Sequence, residues 1–320
     1  MNELDIIELI RETFSFQKTD LLDDVSFIKR GKGYLVLKTD MFVGSTDLPP
    51  GMTLRQASRK AVVACLSDLL CKGAEALGFM VSLGVPRKMA LETEMKQIAS
   101  GLRDASVEYG VPIVGGDVNE SLDFVVDVAM VGQSDRMVRR SGAQVGDVLV
   151  ATGPFGRTAL GLRHLLEGTP LPRSLLSSSL ASVYEPSPKN GLCRSLIDGG
   201  CVHASMDSSD GLAVTLNELS RQSRKRFVME RLPADRAFVK AVSAAGLDPL
   251  DLVLHGGEEY EAVLCVPPAK LRRASVIAET MVSELYPFGH AADGGAGVEY
   301  ASPGTRRHKV IAAEGWVHLR

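Results

Sequence analysis

Aspartates stand at the ends of several apolar runs in this 320-residue chain. They are Asp23-Asp24 before Val25, Asp40 closing LVLKTD, Asp68 within ACLSDLLCKGA, Asp117 after VPIVGG, and Asp207 and Asp210 in MDSSDG. Carboxylates that follow strands can converge on one cleft, where they stay ionised only if cations compensate them. Oxygen ligands without thiolate or imidazole suit Mg²⁺ or Ca²⁺. The set therefore predicts a hard-cation site, although each Asp before a helix, such as Asp117 or Asp210, is also explained as an N-cap.

Glycines accompany these carboxylates. Gly115-Gly116, Gly211 and Gly256-Gly257 allow backbone N–H groups to approach phosphate oxygens closely, although an ordinary turn explains a glycine pair equally well. The last pair leads through Glu258-Glu259-Tyr260-Glu261 into the apolar run AVLCV. Cations and phosphate-binding backbone together are what phosphoryl transfer requires. The pattern is compatible with a site that holds phosphate groups beside hard cations.

Several familiar motifs are missing from the sequence. It contains no G-x-x-x-x-G-K-[ST] phosphate loop, no G-x-G-x-x-G, no H-E-x-x-H, no G-x-S-x-G and no protein-kinase motif set. The segment from Gly153 to Thr158 is similar to a phosphate loop but lacks its lysine, and a tight turn entering a helix explains it. The six histidines have no ligand spacing, so a zinc site is not expected.

Composition limits the function classes further. A net charge of −3, with both signs spread along the chain, argues against nucleic acid as a partner. No run approaches the roughly 18 apolar residues of a membrane span, and residues 1–14 form an amphipathic pattern unlike a signal peptide. The five cysteines form no C-x-x-C pair, so we expect buried, reduced thiols and a cytoplasmic protein.

Apolar periodicity predicts an α/β (α+β) protein whose strands and helices position these residues. Strands are expected at 34–40, 77–83, 112–114, 124–132, 148–151, 202–206 and 261–266. Helices are expected at 54–70, 91–109, 156–166, 191–198 and 212–220. A turn cluster, GAQVGD, ends at Asp147. It places a domain boundary nearby, which divides the chain into residues 1–145 and 146–320.

Eight blocks of sequence resemble the thiamine-monophosphate kinase family, in the superfamily of aminoimidazole ribonucleotide synthetase, selenophosphate synthetase and the hydrogenase-maturation dehydratase. The blocks are LDDVSFI, LKTDMFV, AVVACLSDLLCKGA, VPIVGGDVNE, RRSGAQVGD, MDSSDGL, GGEEYEAVL and GWVHL. Several are shared across the superfamily, whereas GGEEYE with GWVH favours the thiamine branch. The resemblance implies an N-terminal ferredoxin-like-type sheet domain that pairs into a homodimer, and a C-terminal α/β domain that completes the site.

The resemblance also implies roles for individual residues. Magnesium ligands are expected at Asp24, Thr39, Asp40, Asp68, Asp117, Asp207 and Asp210. Contacts with ATP are expected from Gly116, Asp117, Arg140 and Ser209. Thiamine monophosphate is expected at Asp47, Glu258 and Trp316, and the catalytic set is Asp40, Asp117 and Asp210. The choice between Asp23 and Asp24 as the closer metal ligand stays open.

The sequence departs from the family pattern at four places. The usual glycine before the aspartate pair is Leu22, and the small residue after it is Val25. A histidine common in the family aligns with Asp47, so the contribution of its loop to substrate binding is open. Asn119-Glu120 extends the glycine-glycine-aspartate block beyond its commonest form.

The expected reaction is direct in-line transfer of the γ-phosphoryl group of ATP to thiamine monophosphate. The acceptor phosphate has a second pKa of about 6 and is already largely deprotonated at neutral pH, so no general base is required. Trp316, the only tryptophan, could stack on either the cationic thiazolium or the planar pyrimidine of the substrate.

Two alternatives stay open: ATP-driven ring closure of the aminoimidazole ribonucleotide synthetase type, and a non-catalytic nucleotide-binding subunit. The hydrogenase-maturation branch requires a C-terminal cysteine, and the selenophosphate branch a reactive residue in an N-terminal glycine-rich segment. This chain has neither.

Overall fold

Helices and strands alternate along the chain in the computed structural model, which describes residues 1–13, 23–301 and 308–315. The α-helices are α1 (Glu3–Thr13), α2 (Gly44–Asp47), α3 (Leu54–Cys71), α4 (Glu92–Tyr109), α5 (Arg157–Glu167), α6 (Arg173–Tyr184), α7 (Leu192–Asp198), α8 (Leu212–Ser223), α9 (Arg236–Ala244), α10 (Pro249–His255) and α11 (Leu271–Thr280). The strands are β1 (Ser26–Arg30), β2 (Gly33–Val43), β3 (Glu75–Val85), β4 (Ile113–Glu120), β5 (Val125–Ser134), β6 (Val148–Ala151), β7 (Ala204–Ser208), β8 (Arg226–Met229), β9 (Glu261–Val266), β10 (Tyr286–Ala292), β11 (Gly297–Ala301) and β12 (His308–Val310). Short 3₁₀ turns lie at Arg87–Met89 and Pro268–Lys270.

The N-terminal sheet has the strand order β1-β2-β5-β3-β4. Only β3 and β4 pair in parallel, because α4 provides the crossover between them. One face of the sheet is covered by α3 and α4, and the buried residues Val36, Val128 and Phe79 belong to that core. A capping box between Thr53 and Gln56 satisfies the N-terminal N–H groups of α3. The other face of the sheet carries no helix among the described residues.

The C-terminal sheet has the strand order β12-β11-β8-β10-β6-β9-β7. Helices α8, α9 and α10 contribute to a core centred on Phe227, Leu254 and Val263, whereas α7 and α11 pack with a third apolar cluster that includes Leu196 and Ala274. The last strand in the order, β7, lies beside α3 of the N-terminal domain. This contact brings the two domains together at the ends of β2, α3 and β7.

The predicted two-domain α/β class is confirmed. Strand bounds 148–151 and 261–266 agree with the structure, and the predicted boundary at 145/146 lies between the two sheets. The glycine pair at 115–116 is not a loop, because β4 continues through it to Glu120. Strands β1, β8 and β10–β12 and helices α2, α6 and α9–α11 were not predicted.

Two further expectations concern the state of the cysteines and the presence of membrane-spanning helices. All five cysteines are buried and unpaired. Among the described residues, no helix combines the length and the hydropathy that crossing a bilayer requires.

Candidate active site

Asp68 and Asp207 lie at the centre of the junction between the domains. Asp68 is on α3 and Asp207 is near the end of β7, and both are buried. Their carboxyl groups share a hydrogen bond, and the Ser67 hydroxyl donates to Asp207 Oδ2 at 2.9 Å. Burial and the repulsion between neighbouring carboxylates raise the pKa of Asp207, and raise that of Asp68 well above its usual range. The folded protein therefore disfavours the ionised form of both carboxyl groups unless a cation lies beside them.

Two more predicted aspartates adjoin this pair. Asp40 is on the face of β2 that α3 covers, 3.9 Å from the Lys38 ammonium, and burial raises its pKa. Asp210 follows β7, and burial together with the nearby Asp207 raises its pKa to about 6. Lys38 also contacts Asp68, with Nζ 2.5 Å from Oδ2. The structure thus brings Asp40, Asp68, Asp207 and Asp210 into one region, with Lys38 in contact with Asp40 and Asp68.

These four carboxyl groups fit a hard divalent cation. Their donors are oxygens, which Mg²⁺ prefers. Burial and the neighbouring carboxylates raise the pKa values of Asp68, Asp207 and Asp210, so a bound cation would favour their ionised forms. Among the described residues, the acidic side chains whose ligand atoms converge, together with the Cys71 thiol, to within 4.8 Å of one another are Asp24 and Asp207. These two carboxylates, with Asp40, Asp68 and Asp210 nearby, are the residues that would hold Mg²⁺.

Asp24 occupies a different environment. It is buried, and its carboxylate accepts from Arg140 Nε at 2.8 Å and lies 2.6 Å from Lys72 Nζ. Two cations thus contact Asp24. Burial alone would raise the pKa of Asp24, but the charges of Lys72 and Arg140 outweigh burial and hold that pKa below its usual range. Arg140, expected at ATP, is engaged with this carboxylate.

Thr39 and Asp117 lie on the opposite face of the sheet from Asp40. Thr39 Oγ1 donates to Asp127 Oδ1 at 3.0 Å on that face. The register aligns Met41 with Asp127, Asp127 with Ser82, and Ser82 with Asp117. Three strand intervals separate Asp117 from Met41, or roughly 14 Å. Within one chain, neither Thr39 nor Asp117 joins the carboxyl cluster through its side chain, and their roles stay predictions.

Gly116 has a structural reason to be glycine. A Cβ added there would lie 2.2 Å from the carbonyl oxygen of Val81 on the paired strand β3. By contrast, a Cβ at Gly115 would meet only the Met80 side chain at 3.8 Å. The close approach of β3 and β4 therefore requires Gly116, independently of any nucleotide contact.

The segment before β9 has a strained backbone. Glu258 and Tyr260 are not glycines but have φ values of 62° and 52°. The Glu258 N–H donates to the Ser209 carbonyl at 2.6 Å, and the Tyr260 N–H donates to that of Ser208 at 3.1 Å. These bonds hold the segment against the end of β7. Strain of this kind concentrates at functional sites.

Lys60 is a site residue that the sequence analysis missed. Its side chain is 1% exposed, and Nζ lies 2.5 Å from Glu258 Oε1. The contact is an ion pair without hydrogen-bond geometry, because Lys60 Nζ has no hydrogen-bond partner among the described residues. Helical spacing could have revealed it, since Lys60 precedes Asp68 by eight residues and so lies near the same face of α3.

Tyr260 is surrounded by acidic residues. It is buried, and burial and the charges of Glu258, Asp40, Asp207 and Asp47 raise its pKa well above the usual range. Asp47 itself accepts from the Val43 N–H at 2.7 Å. The predicted substrate residues Asp47 and Glu258 therefore lie near the carboxyl cluster. Trp316, the third predicted substrate residue, is outside the described residues.

The segment from Gly153 to Thr158, which is similar to a phosphate loop, binds a carboxylate of the protein itself. Glu259 accepts from the Gly156 N–H at 2.7 Å and from the Thr158 hydroxyl at 2.8 Å, at the start of α5. A carboxylate at a helix N-terminus satisfies the free N–H groups there. The segment is therefore a helix start occupied by Glu259, which agrees with its interpretation as a tight turn.

Comparison with known proteins agrees with this architecture. The family model described as "AIR synthase related protein, N-terminal domain" matches residues 22–134, and that of the corresponding C-terminal domain matches residues 144–300. The thiamine-monophosphate kinase of Nitrosopumilus maritimus is 31% identical over 100% of this chain and 99% of its own. That of Pyrococcus abyssi is 32% identical over 100% and 96%. The structure of AaThiL complexed with AMPPCP and TMP has the same fold, with a TM-score of 0.82 at 22% identity, covering 99% of this chain and 97% of that one.

Proposed function

Because this chain belongs to the AIR synthase related family, and within it to the thiamine-monophosphate kinases, we propose that it transfers the γ-phosphoryl group of ATP to thiamine monophosphate in the presence of Mg²⁺. The observation that carries the proposal is the position of Glu258. It lies on a strained segment against the end of β7, the strand that bears Asp207. An acceptor held by Glu258 would therefore lie near the carboxyl cluster.

The transfer forms one bond and breaks one. A phosphate oxygen of thiamine monophosphate attacks the γ-phosphorus, and the bond from that phosphorus to the β–γ bridging oxygen breaks, releasing ADP. The obstacle is the repulsion between two polyanions. Mg²⁺ supplies positive charge that offsets this repulsion and stabilises the transferring group.

The residues of the chain position the reactants. Asp24, Asp40, Asp68, Asp207 and Asp210 hold the cation, and Gly116, Arg140 and Ser209 contact ATP. Glu258, Asp47 and Trp316 hold the acceptor, with Glu258 accepting from the pyrimidine amine. Asp117 lies on the exposed face of the sheet, outside the carboxyl cluster of its own chain, and the catalytic role that the family resemblance implies for it stays a prediction.

We include a homodimer in the proposal. The helix-free face of the N-terminal sheet exposes Leu37, Met41 and Met80, with exposed fractions of 37%, 59% and 51%. An apolar strip of this kind on a sheet face favours contact with a complementary surface. A second copy bound there would cover the face that carries Thr39 and Asp117.

The test is product formation from thiamine monophosphate, ATP and MgCl₂, resolved by chromatography. Wild-type protein is expected to yield thiamine diphosphate and ADP. Asp207→Asn, which removes a carboxylate from the centre of the cluster, is expected to lower kcat at least 100-fold. The matched control is Asp198→Asn, since the Asp198 side chain on α7 is 62% exposed. A folded wild-type protein that binds ATP but forms no thiamine diphosphate would contradict the proposal.

A further inference from the structure

Residues 258–261, the acceptor segment, direct their side chains to two sides. The Glu258 carboxylate lies 2.5 Å from Nζ of Lys60 on α3, and Tyr260 packs in the apolar core beneath the N-terminal sheet. Glu259 points the other way, toward the start of α5 in the C-terminal domain. The acceptor segment therefore lies between the two domains, with Glu259 as its contact on the side of α5.

Glu259 lies between two strained backbone positions. Glu258 and Tyr260 have φ values of 62° and 52°, a conformation that non-glycine residues keep only where surrounding contacts hold it. The N–H groups of these two residues donate to the carbonyl groups of Ser209 and Ser208. These bonds hold the backbone from the side of β7, so the opposite side depends on Glu259.

The turn between β6 and α5 holds the acceptor segment on that opposite side. Glu259 Oε1 accepts from the Gly156 N–H at 2.7 Å, and Oε2 accepts from the Thr158 hydroxyl at 2.8 Å. Two residues further on, Glu261 accepts from the Thr152 hydroxyl at 2.6 Å. The same turn therefore binds the segment through two carboxylates, and the first of them adjoins Glu258.

Thr158 makes this arrangement testable with a small change. Its side chain is buried on α5. Within the described part of the chain, its hydroxyl bonds only to Glu259. Removing that hydroxyl therefore weakens the contact of Glu259 and leaves the residues of the acceptor segment themselves unchanged.

We propose that Glu259 is a positioning residue for the acceptor: bound at the start of α5, it keeps residues 258–260 in their strained conformation and thereby fixes the Glu258 carboxylate beside Lys60. Without this contact the backbone can relax to negative φ, which rotates the Glu258 side chain away from the acceptor. A helix cap alone would stabilise α5 and leave the affinity for the acceptor unchanged. The inference rests on the proposed function for the role of Glu258.

The first test measures affinity for thiamine monophosphate by isothermal titration calorimetry. Thr158→Val is nearly isosteric and removes one hydrogen bond from Glu259, so the Kd is expected to rise about fivefold. Glu259→Ala removes both bonds and is expected to raise the Kd by a factor of about ten or more. Thr158→Ser keeps the hydroxyl and should keep the wild-type Kd. The Kd for AMPPCP should be unchanged in all three variants, because Glu258 holds only the acceptor.

Steady-state kinetics separate positioning from a general effect on the fold. Thr158→Val and Glu259→Ala are expected to raise KM for thiamine monophosphate and to keep kcat within about twofold, since they weaken acceptor binding and not the transfer itself.

Ser220→Ala is the matched control. Ser220 is a buried residue near the C-terminal end of α8, and its hydroxyl donates to the Lys225 carbonyl at 2.6 Å and accepts from the Gly297 N–H at 2.8 Å. The variant removes two hydrogen bonds from the same domain. It is expected to lower the melting temperature and to leave both Kd values unchanged.

The second test measures hydrogen–deuterium exchange in a peptide that covers residues 257–261. The N–H groups of Glu258 and Tyr260 are hydrogen-bonded, so they exchange when the segment opens. Thr158→Val and Glu259→Ala are expected to accelerate this exchange about fivefold or more, whereas Thr158→Ser and Ser220→Ala should keep the wild-type rate.

Melting temperatures identify the variants that remain folded, and Thr158→Val provides the result if Glu259→Ala unfolds. Unchanged affinity for thiamine monophosphate, or unchanged exchange, in folded Thr158→Val would overturn the proposal. An equal rise in the Kd values of both ligands would also overturn it, because Glu259 would then act on the whole fold. A wild-type protein that does not bind thiamine monophosphate would instead contradict the proposed function, and with it the acceptor role of Glu258.

Discussion

Lys60 and Glu258 show how a single ion pair can set the position of a binding residue. Lys60 comes from the core helix of the N-terminal domain, and Glu258 from a strained segment of the C-terminal domain. The Glu258 side chain is 28% exposed, whereas Lys60 is buried. The carboxylate can therefore face a ligand while the ammonium fixes it from behind.

Replacing Lys60 by Met is expected to raise KM for thiamine monophosphate about tenfold and to leave KM for ATP within twofold, because only the acceptor residue loses its partner. A factor of ten corresponds to about 1.4 kcal/mol. Methionine fills the same volume, and Glu258 can be solvated, so the fold is expected to remain intact. Steady-state kinetics with each substrate varied in turn provide the measurement.

Lys60→Arg serves as the conservative variant and Lys96→Met as the exposed control, since the Lys96 side chain is 74% exposed. Arginine keeps the charge beside Glu258 and is expected to restore part of the affinity. An equal increase in both KM values would show that Lys60 acts on the fold and not on Glu258.

Helix α3 carries several of the buried polar and ionisable side chains of the site. Lys60, Ser67, Asp68 and Cys71 are on this one helix, and Lys72 follows it. The capping box at Thr53 and the apolar contacts with α4 hold the helix in place. Because these groups share one rigid element, their mutual spacing is independent of the loops around them.

Strand β9 begins with a buried acid that makes stability depend on pH. Burial raises the pKa of Glu261 to about 7, although a hydrogen bond from the Thr152 hydroxyl at 2.6 Å partly offsets the effect. The unfolded value is near 4.5. Between these values the folded protein binds more protons than the unfolded chain, so the free energy of unfolding falls as pH rises through this window.

Glu261→Gln is expected to remove the contribution of Glu261 to this pH dependence. The full contribution, for a pKa raised from 4.5 to about 7, is on the order of 3 kcal/mol. Urea denaturation of the metal-free protein at about pH 5 and pH 8 measures the fall in the free energy of unfolding. The fall should be smaller in the variant than in the wild type.

Glu279→Gln, at an exposed position of α11, is the matched control and should keep the wild-type dependence. If Glu261→Gln shows the same fall as the wild type, then Glu261 is already ionised in the folded protein near pH 5.

At the scale of the molecule, the site exists only because two sheets meet. Asp40 and Asp68 belong to the N-terminal domain, whereas Asp207 and Asp210 belong to the C-terminal one. The exposed face of the N-terminal sheet is on the far side of that sheet from this junction. Dimerisation through the exposed face would therefore leave the carboxyl cluster between the domains unobstructed.

Met41→Lys is expected to convert the dimer to a monomer, because it places a charge in the apolar strip that the second copy would cover. Sedimentation equilibrium should give twice the chain mass of 34.3 kDa for wild type and the single mass for the variant. Val107→Lys, at a 76% exposed position on α4, is the control and should stay dimeric. A monomeric wild-type protein would contradict the homodimer.

The sequence by itself determined the local features of this protein. Continuous apolar runs and helical periods identified the strands 148–151 and 261–266 and the helices beginning at 54 and 212, because these patterns reflect burial within one element. The aspartates at strand ends indicated a cluster of carboxylates that requires cations. Strand β12 was missed because three residues carry too little periodicity, and β8 because it begins within the basic run Arg224-Lys225-Arg226.

Only the tertiary structure decided which charges meet. Asp24 and Lys72 are 48 residues apart, and Lys60 and Glu258 are 198 apart, and no local pattern relates such distant residues. Packing also decided that α3 covers the face of Asp40 and leaves that of Thr39 exposed, a choice that alternation along β2 cannot make. The carboxylates were therefore predictable from the sequence, whereas the cation that each one binds depends on how the two sheets pack.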